Sequence, residues 1–353
     1  MSARIAVIGA GFFGGMIADT LARRGYAVQL FERHDGVMQG ASRHNHNRIH
    51  LGYHYLRSIE TAQQSIEGLD SFTGIFGDAI LTRFPNYYCI AAEGSHTSPE
   101  RFEEFCRVVN IDYEAAFPDE KWLARDRISA CYRVPEPVFD FPTASKILAD
   151  RLAASPVQAH FTTPVEDLRA AGDGFDVKAG GSWQGFDVVI NATYDAVNTF
   201  NRMLDVPART YLYEDVLIPV FRYEAPPIGL TVMDGEFCSV MPRGIRDNEF
   251  LLYHVRDSVL RRRLDQTGFD APVAVDDDAP LFAESSVYMP FLKDCRSFDR
   301  YRSIRIVWEN DDDARRTVLY NDLPNYYSLL SGKVTTCVDL AREMADRLDD
   351  THG

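Results

Sequence analysis

A chain of 353 residues with 37 basic and 52 acidic side chains carries a formal net charge of −15, so it has no overall electrostatic pull toward nucleic acid or an anionic membrane. Its 46% apolar and 25% charged residues suit a globular protein, and the length suggests about two domains. No apolar run approaches the roughly 18 residues of a membrane span, and no secretory pattern opens the sequence, so a cytoplasmic protein without a membrane span is expected.

In chain order, Arg4–Ile8 reads as a short apolar strand. The run Gly9-Ala10-Gly11-Phe12-Phe13-Gly14-Gly15 follows. Met16 to Arg24 then has helical spacing, with Ile17 and Leu21 on one face and Gly25 as its stop. Ala27–Phe31 is a second strand with Glu32 at its end. Ser58–Phe76, Pro99–Val109 and Thr143–Ala154 read as helices. Phe84–Ala92, Val157–Phe161 and Phe175–Ala179 read as strands. Asp187–Ala192 is the kind of apolar run that suits a buried parallel sheet. From Val206 to Trp308 strand signals dominate, at Asp215–Phe221, Phe237–Met241 and Phe250–Val255. Arg256–Leu264 reads as an interruption. An amphipathic helix, Thr335–Leu348, closes the chain.

The glycine run has the context a dinucleotide site requires: it leaves a strand and opens a helix within about thirty residues. Gly9 permits the tight turn, Gly11 lets the backbone approach a pyrophosphate, and Gly14 lets helix and strand pack closely. Free N–H groups at the helix start, on residues such as Phe12 and Phe13, suit the phosphates. Glu32, 18 residues after Gly14, is placed to accept hydrogen bonds from an adenosine ribose and disfavours a 2′-phosphate. Arg33 stands beside it. The motif does not by itself separate NAD from FAD.

The separation comes from Gly40-Ala41-Ser42-Arg43-His44-Asn45-His46-Asn47-Arg48-Ile49-His50-Leu51-Gly52-Tyr53-His54-Tyr55, too polar and glycine-punctuated for the second helix of a plain NAD fold. This stretch resembles the flavin-side loop of the D-amino-acid oxidase-like (DAO) superfamily of FAD oxidoreductases. Asp187-Val188-Val189-Ile190-Asn191-Ala192-Thr193 resembles that family's valine-valine-asparagine-alanine strand, and Ser331-Gly332-Lys333-Val334 its C-terminal glycine-lysine segment. Where the family usually has glycine after the asparagine-alanine pair, this chain has Tyr194.

The resemblance implies an α/β protein: a Rossmann-type FAD-binding domain with an inserted β-rich (α+β) substrate domain, glutathione-reductase-like. The FAD-binding parts are expected at 1–77, 141–204 and 311–353, and the substrate parts at 78–140 and 205–310. FAD contacts are implied for Ala41, Ser42, His44, Asn45, Arg48 and Ile49, for Val165, Ala192 and Thr193, and for Ser331, Gly332, Lys333 and Val334. The flavin is expected to be bound non-covalently.

For chemistry, His50 or His54 is a candidate general base, because histidine titrates near working pH, and Arg48 would lie near the ring. The alternative is that these side chains only hydrogen-bond cofactor or backbone. Arg243, in the turn Met241-Pro242-Arg243-Gly244, is a candidate fork for a substrate carboxylate or phosphate, or else a surface arginine. Tyr253 and Arg222 are weaker candidates of that kind. His50/His54 and His44/His46 have spacings that a metal can use, but Gly52 opposes a helix there and no H-E-x-x-H motif occurs, so no metal is expected. Six widely spaced cysteines without a C-x-x-C pair are expected to be reduced and buried. The runs Asp276–Asp278 and Asp311–Asp313 read as solvated loops.

The expected function is oxidation of an amine or alcohol carbon of a small polar, anionic substrate by hydride transfer to the flavin. The alternatives are a flavin-dependent sugar-nucleotide mutase of the UDP-galactopyranose type and a non-catalytic nucleotide-binding sensor.

Overall fold

The first strand, Arg4–Ile8 (β1), explains the architecture of half the molecule. Its side chains alternate, with Ile5 and Val7 on one face and Ala6 and Ile8 on the other, and all four are buried. A strand buried on both faces needs covering layers above and below. A computed structural model describes residues 2–246, 248–269, 273–275, 277–308 and 316–352, and it supplies both layers.

β1 lies inside a six-stranded sheet. Its parallel neighbours are Ala27–Phe31 (β2) and Val188–Asn191. Gln158–His160 extends the sheet beyond β2, Tyr326–Leu330 lies beyond Val188–Asn191, and Val318–Leu323 closes that edge antiparallel. The helix Phe12–Arg23 (α1) covers one face with Phe141–Ala153 and Cys337–His352, burying Met16, Ile17, Leu21, Leu148 and Met344 against Ile5 and Val7. A three-stranded antiparallel meander, Val165–Ala171, Gly174–Ala179 and Ser182–Phe186, covers the other, packing Phe175, Val177 and Phe186 against Ala6, Ile8 and Phe31.

The second body is a nine-stranded, mainly antiparallel sheet built from two stretches, 86–134 and 211–307. Its long strands Tyr211–Arg222 and Ser297–Val307 run antiparallel from Leu212↔Val307 to Phe221↔Ser297. Phe221, Phe250 and Leu252 pack it against Leu281, Phe282 and Leu292. The fold is thus the Rossmann-type domain with a β-rich companion.

Several local readings need correction. The first helix begins at Phe12, not Met16, because Gly14 and Gly15 belong to its first turn. The last begins at Cys337, after a tight turn at Val334–Thr336, and runs to His352. Arg256–Leu264 is not an interruption: after a turn, Val259–Asp265 is an edge strand paired with Tyr211–Val216. Its arginines hide the strand signal because they are ion-paired across the sheet, Arg261 to Asp215 and Arg262 to Glu214.

All six cysteines are buried free thiols. Asp276 and the run Asp311–Asp313 lie outside the described residues. Of the other run, Asp278 pairs with Arg300. Among the described residues no helix is long and apolar enough to cross a membrane.

Candidate active site

The two bodies enclose a cleft of about 1170 Å³, larger than the roughly 300–1,000 Å³ of a usual small-ligand pocket. At one end β1 delivers the glycine turn. Gly9 has φ +100°, and its N–H donates to Phe31 O at 2.8 Å. A Cβ on Gly14 would lie 1.9 Å from Gly9 O and 3.0 Å from the Ala192 Cβ, so only glycine lets α1 seat against the sheet here. Gly11, Phe12, Phe13 and Gly14 line the cleft. The first-turn N–H groups of α1 have no helical partners. One of them, on Phe12, donates to Ser42 Oγ at 3.2 Å.

Glu32 is 8% exposed and fixed by two backbone amides: Oε2 accepts from Ala10 N–H at 2.8 Å and Oε1 from His34 N–H at 2.9 Å. Arg33, Val165, Ala192 and Thr193 line the cleft around it. Asn191 is fully buried; its Oδ1 accepts from Thr193 Oγ–H at 2.6 Å. Tyr194 adopts φ +57°, the left-handed conformation that glycine takes most easily, and its hydroxyl accepts from Ile306 N–H at 3.1 Å.

The loop after β2 forms the middle of the cleft. Ala41, Ser42, His44, Asn45, Arg48, His50 and His54 line it. Arg48 donates three hydrogen bonds into the network. Its Nη1 donates to His54 Nε2 and to the Tyr88 hydroxyl, both at 2.7 Å, and Nη2 donates to Thr231 Oγ at 2.8 Å. The Tyr88 hydroxyl in turn donates to Glu136 Oε1 at 2.6 Å. Burial pushes the Glu136 carboxyl up, against the pull of Arg48 and Tyr88. His46 is held out of this network: its Nε2 lies 3.1 Å from Leu251 O, and burial, with Arg48 adding to it, lowers it to about 3.

Ser331, Gly332, Lys333 and Val334 line the same region from the C-terminal segment. The Lys333 Nζ lies 4.2 Å from the centre of the Tyr55 ring, and no carboxylate pairs with it among the described residues. Burial, and secondarily Arg48, lowers it to about 7.

The far wall is the β-rich sheet. Glu214 stands directly opposite Arg262 in one neighbouring strand and Arg305 in the other. Its Oε1 accepts from Arg262 Nε at 2.9 Å and its Oε2 from Arg305 Nε at 2.6 Å. Arg305 Nη2 also donates to the Tyr253 hydroxyl at 3.0 Å. All four residues line the cleft.

Two expectations are corrected here. Ile49 does not reach the cleft; it is fully buried in the core under α1, and its N–H donates to Pro137 O at 3.0 Å. Arg243 is not among the lining residues. Its guanidinium is taken by Glu249, at 2.9 Å, and by the Tyr301 hydroxyl, at 2.7 Å, while its carbonyl accepts from Asn47 Nδ2 at 2.7 Å. The turn therefore supports the flavin-side loop. The sequence reading missed Arg305, Glu214, Arg262 and Glu136. Tyr253, a weaker candidate, does line the cleft, and Arg222 does not.

The chain has relatives. A family model described as FAD dependent oxidoreductase, DAO, matches residues 4–313. The FAD-dependent monooxygenase FPY4 of Fusarium mangiferae is 27% identical over 240 residues, covering 67% of this chain and 60% of that protein. The FAD-dependent monooxygenase kojA of Aspergillus flavus is 26% identical over 247 residues, covering 68% and 58%. The chain thus matches only 58–60% of the length of these curated relatives. Among solved structures, L-α-glycerophosphate oxidase from Mycoplasma pneumoniae with FAD bound superposes with a TM-score of 0.79 at 17% identity, over 99% of this chain and 95% of that one. Glycine oxidase from Geobacillus kaustophilus gives 0.73 at 15%, over 99% and 94%. Identities this low speak for the fold alone.

The residues present fit an FAD. The glycine cradle admits no side chain at Gly14, the α1 amides open toward the cleft, and Glu32 is fixed at the β2 end.

Proposed function

Because this chain belongs to the DAO family of FAD-dependent oxidoreductases, matched over residues 4–313, we propose that it oxidises an amine or alcohol carbon of a small anionic substrate. When bound, the flavin supplies the acceptor for the hydride that leaves this carbon.

The substrate half of this reading is carried by the row Arg262–Glu214–Arg305. Two guanidiniums share one carboxylate, so the row keeps one positive charge at the cleft surface, with the Tyr253 hydroxyl beside it. Arg305 gives its Nε and Nη2 edge to Glu214 and Tyr253, so a carboxylate or phosphate would be met by its Nη1 and by the Arg262 guanidinium. Thr231, Ser239 and Tyr253 are successive cross-strand partners, so Tyr253 stands two strands, about 10 Å, from the Thr231 that holds Arg48. An anion held at the row directs the rest of a small substrate toward Arg48, His50 and Lys333.

Each remaining group has a task. The α1 amides and Glu32 hold the pyrophosphate and adenosine ribose. Lys333, at the mouth of the C-terminal helix segment, offsets negative charge gathering at the edge of the ring system. His50 receives the substrate's proton. The family match favours an oxidoreductase over the mutase and sensor alternatives.

A second reading, oxygen insertion, draws on the monooxygenase names of the curated relatives. Anaerobic mixing of the FAD-loaded protein with amino acids, amines, hydroxy acids and phosphoesters tests the first reading. Bleaching of the visible flavin absorption by anionic members, and not by their neutral amides or esters, is expected; equal bleaching by neutral analogues would contradict it. Incorporation of labelled dioxygen into product would select the second.

A further inference from the structure

The flavin-side loop is tied to the β-rich sheet at three points. His44 O accepts from Ser303 Oγ–H at 3.1 Å, His46 Nε2 lies 3.1 Å from Leu251 O, and Arg48 Nη2 donates to Thr231 Oγ at 2.8 Å. Leu251 is the residue at which Glu249–His254 parts from Tyr211–Arg222. Val220↔Leu251 is their last pair, and Tyr211–Arg222 next takes Val259–Asp265, at Val216↔Val259. The His46 ring meets the sheet at this seam.

A carbonyl only accepts, so the Leu251 contact places a hydrogen on His46 Nε2. Among the described residues Leu251 O is the hydrogen-bond partner of the ring. Burial and the nearby Arg48 keep the ring neutral, lowering it to about 3. A neutral imidazole with its hydrogen on Nε2 carries its lone pair on Nδ1. His46 is thus an acceptor of fixed tautomer, half-buried and lining the cleft.

Tyr253 stands beside it, with ring centres 6.1 Å apart. The Tyr253 hydroxyl accepts from Arg305 Nη2 at 3.0 Å, which leaves its own hydrogen as a donor. The guanidiniums of the arginine row and this hydroxyl all donate to an anion. His46 Nδ1 is of the opposite kind: it opposes the lone pairs of an anion and takes a hydrogen. An anion that also carries a hydroxyl or amino group satisfies both kinds of partner at once. An anion without one leaves a desolvated acceptor unmet, and sites built to bond a substrate hydroxyl or amine reject such analogues.

We propose that His46 is a specificity-determining residue, whose Nδ1 accepts a hydrogen bond from a hydroxyl or amino group of the bound anion. The proposal rests on the reading that a small anionic substrate is held in this cleft at the arginine row. No proton changes hands at His46; the hydrogen stays on the substrate's oxygen or nitrogen, and the ring selects and orients.

NMR of the histidine-labelled, FAD-loaded protein tests this. The flavin is reduced beforehand and kept anaerobic, so that it takes no hydride and no probe turns over. The probes are matched pairs, glycolate with acetate and glycerol phosphate with propyl phosphate. His46 signals are assigned by their loss in His46→Phe. The expected tautomer is Nε2–H. Glycolate and glycerol phosphate should move the Nδ1 resonance, and acetate and propyl phosphate should not. In equilibrium titrations the donor-bearing member of each pair should bind about 2- to 12-fold more tightly, the range of one net hydrogen bond. In His46→Phe the members of a pair should bind alike, with flavin content held. A loop merely loosened from Leu251 would weaken both members equally and keep the ratio. An Nδ1–H tautomer, equal binding within each pair by the wild type, or a ratio that survives in His46→Phe would overturn the proposal. If FAD alone moves the Nδ1 resonance and no probe does, the acceptor serves the cofactor and the proposal fails. If His46→Phe does not fold, the wild-type tautomer and shifts decide. Anions that bind without regard to the donor defeat this proposal alone; if no anion binds, the proposed function falls with it.

Discussion

Lys333 is placed for chemistry at the expense of stability, and Lys333→Met should expose the trade. The lysine is 9% exposed, sits over the Tyr55 ring and has no carboxylate partner among the described residues. Burial and Arg48 lower it from 10.5 to about 7. A depressed folded value means the unfolded chain binds more protons between pH 7 and 10.5, so stability rises with pH across that window. Above 10.5 the lysine is neutral in both states and carries no penalty; below 7 the penalty is complete. The interval corresponds to at most about 5 kcal/mol, a limit that relaxation of the buried site reduces. Methionine has a similar unbranched stem and no charge. Urea unfolding of the flavin-free protein from pH 6 to pH 10 is the assay. The variant should be more stable than wild type by several kcal/mol at pH 6, lose the upward slope above pH 7, and converge with wild type at the alkaline end. With FAD present, the same variant should show a lower flavin reduction potential or slower reduction. A variant no more stable than wild type at pH 6 would refute the claim that Lys333 is a buried, uncompensated amine.

Gly14→Ala should abolish FAD binding, because the new Cβ would meet Gly9 O at 1.9 Å and must push α1 off the sheet; equilibrium FAD titration checks it. Arg305→Met should raise the substrate KM by about 10- to 150-fold, the loss of a charge-assisted hydrogen bond worth about 1.5–3 kcal/mol, with flavin content unchanged. Glu214 keeps Arg262, so Tm should fall only modestly. Acid precipitation should release the flavin into the supernatant, leaving a colourless pellet, since the flavin is proposed to be held without a covalent bond.

What the sequence made readable is what is local. The run from Arg4 to Glu32 carries its strand, turn and helix signals within one unit, and the apolar stretch Val188–Asn191 announces a strand buried on both faces. What it concealed is built across strands. Glu214, Arg262 and Arg305 are 48 and 43 residues apart in sequence, and nothing around any one of them marks it; the antiparallel register makes them neighbours. Glu136 is hidden in the same way, brought to Arg48 by the pairing of residues 137–139 with 47–49. Arg243 misled because a Pro-Arg-Gly turn signals a bend but not its direction, and the bend faces Glu249 and Tyr301. The arginine-rich strand Val259–Asp265 misled because ion pairs, not apolar contacts, hold its side chains.

In the proposed reaction this cleft holds FAD, and a hydride moves to it from a carbon of an anionic substrate. The most direct test is anaerobic rapid mixing of the FAD-loaded protein with a bleaching compound that carries either hydrogen or deuterium on the reacting carbon. The flavin is expected to bleach in a single turnover, severalfold more slowly with deuterium, and only when the compound's anionic group is intact. A protein that binds no FAD, or bleaching equally fast with deuterium and with the anion masked, would contradict it.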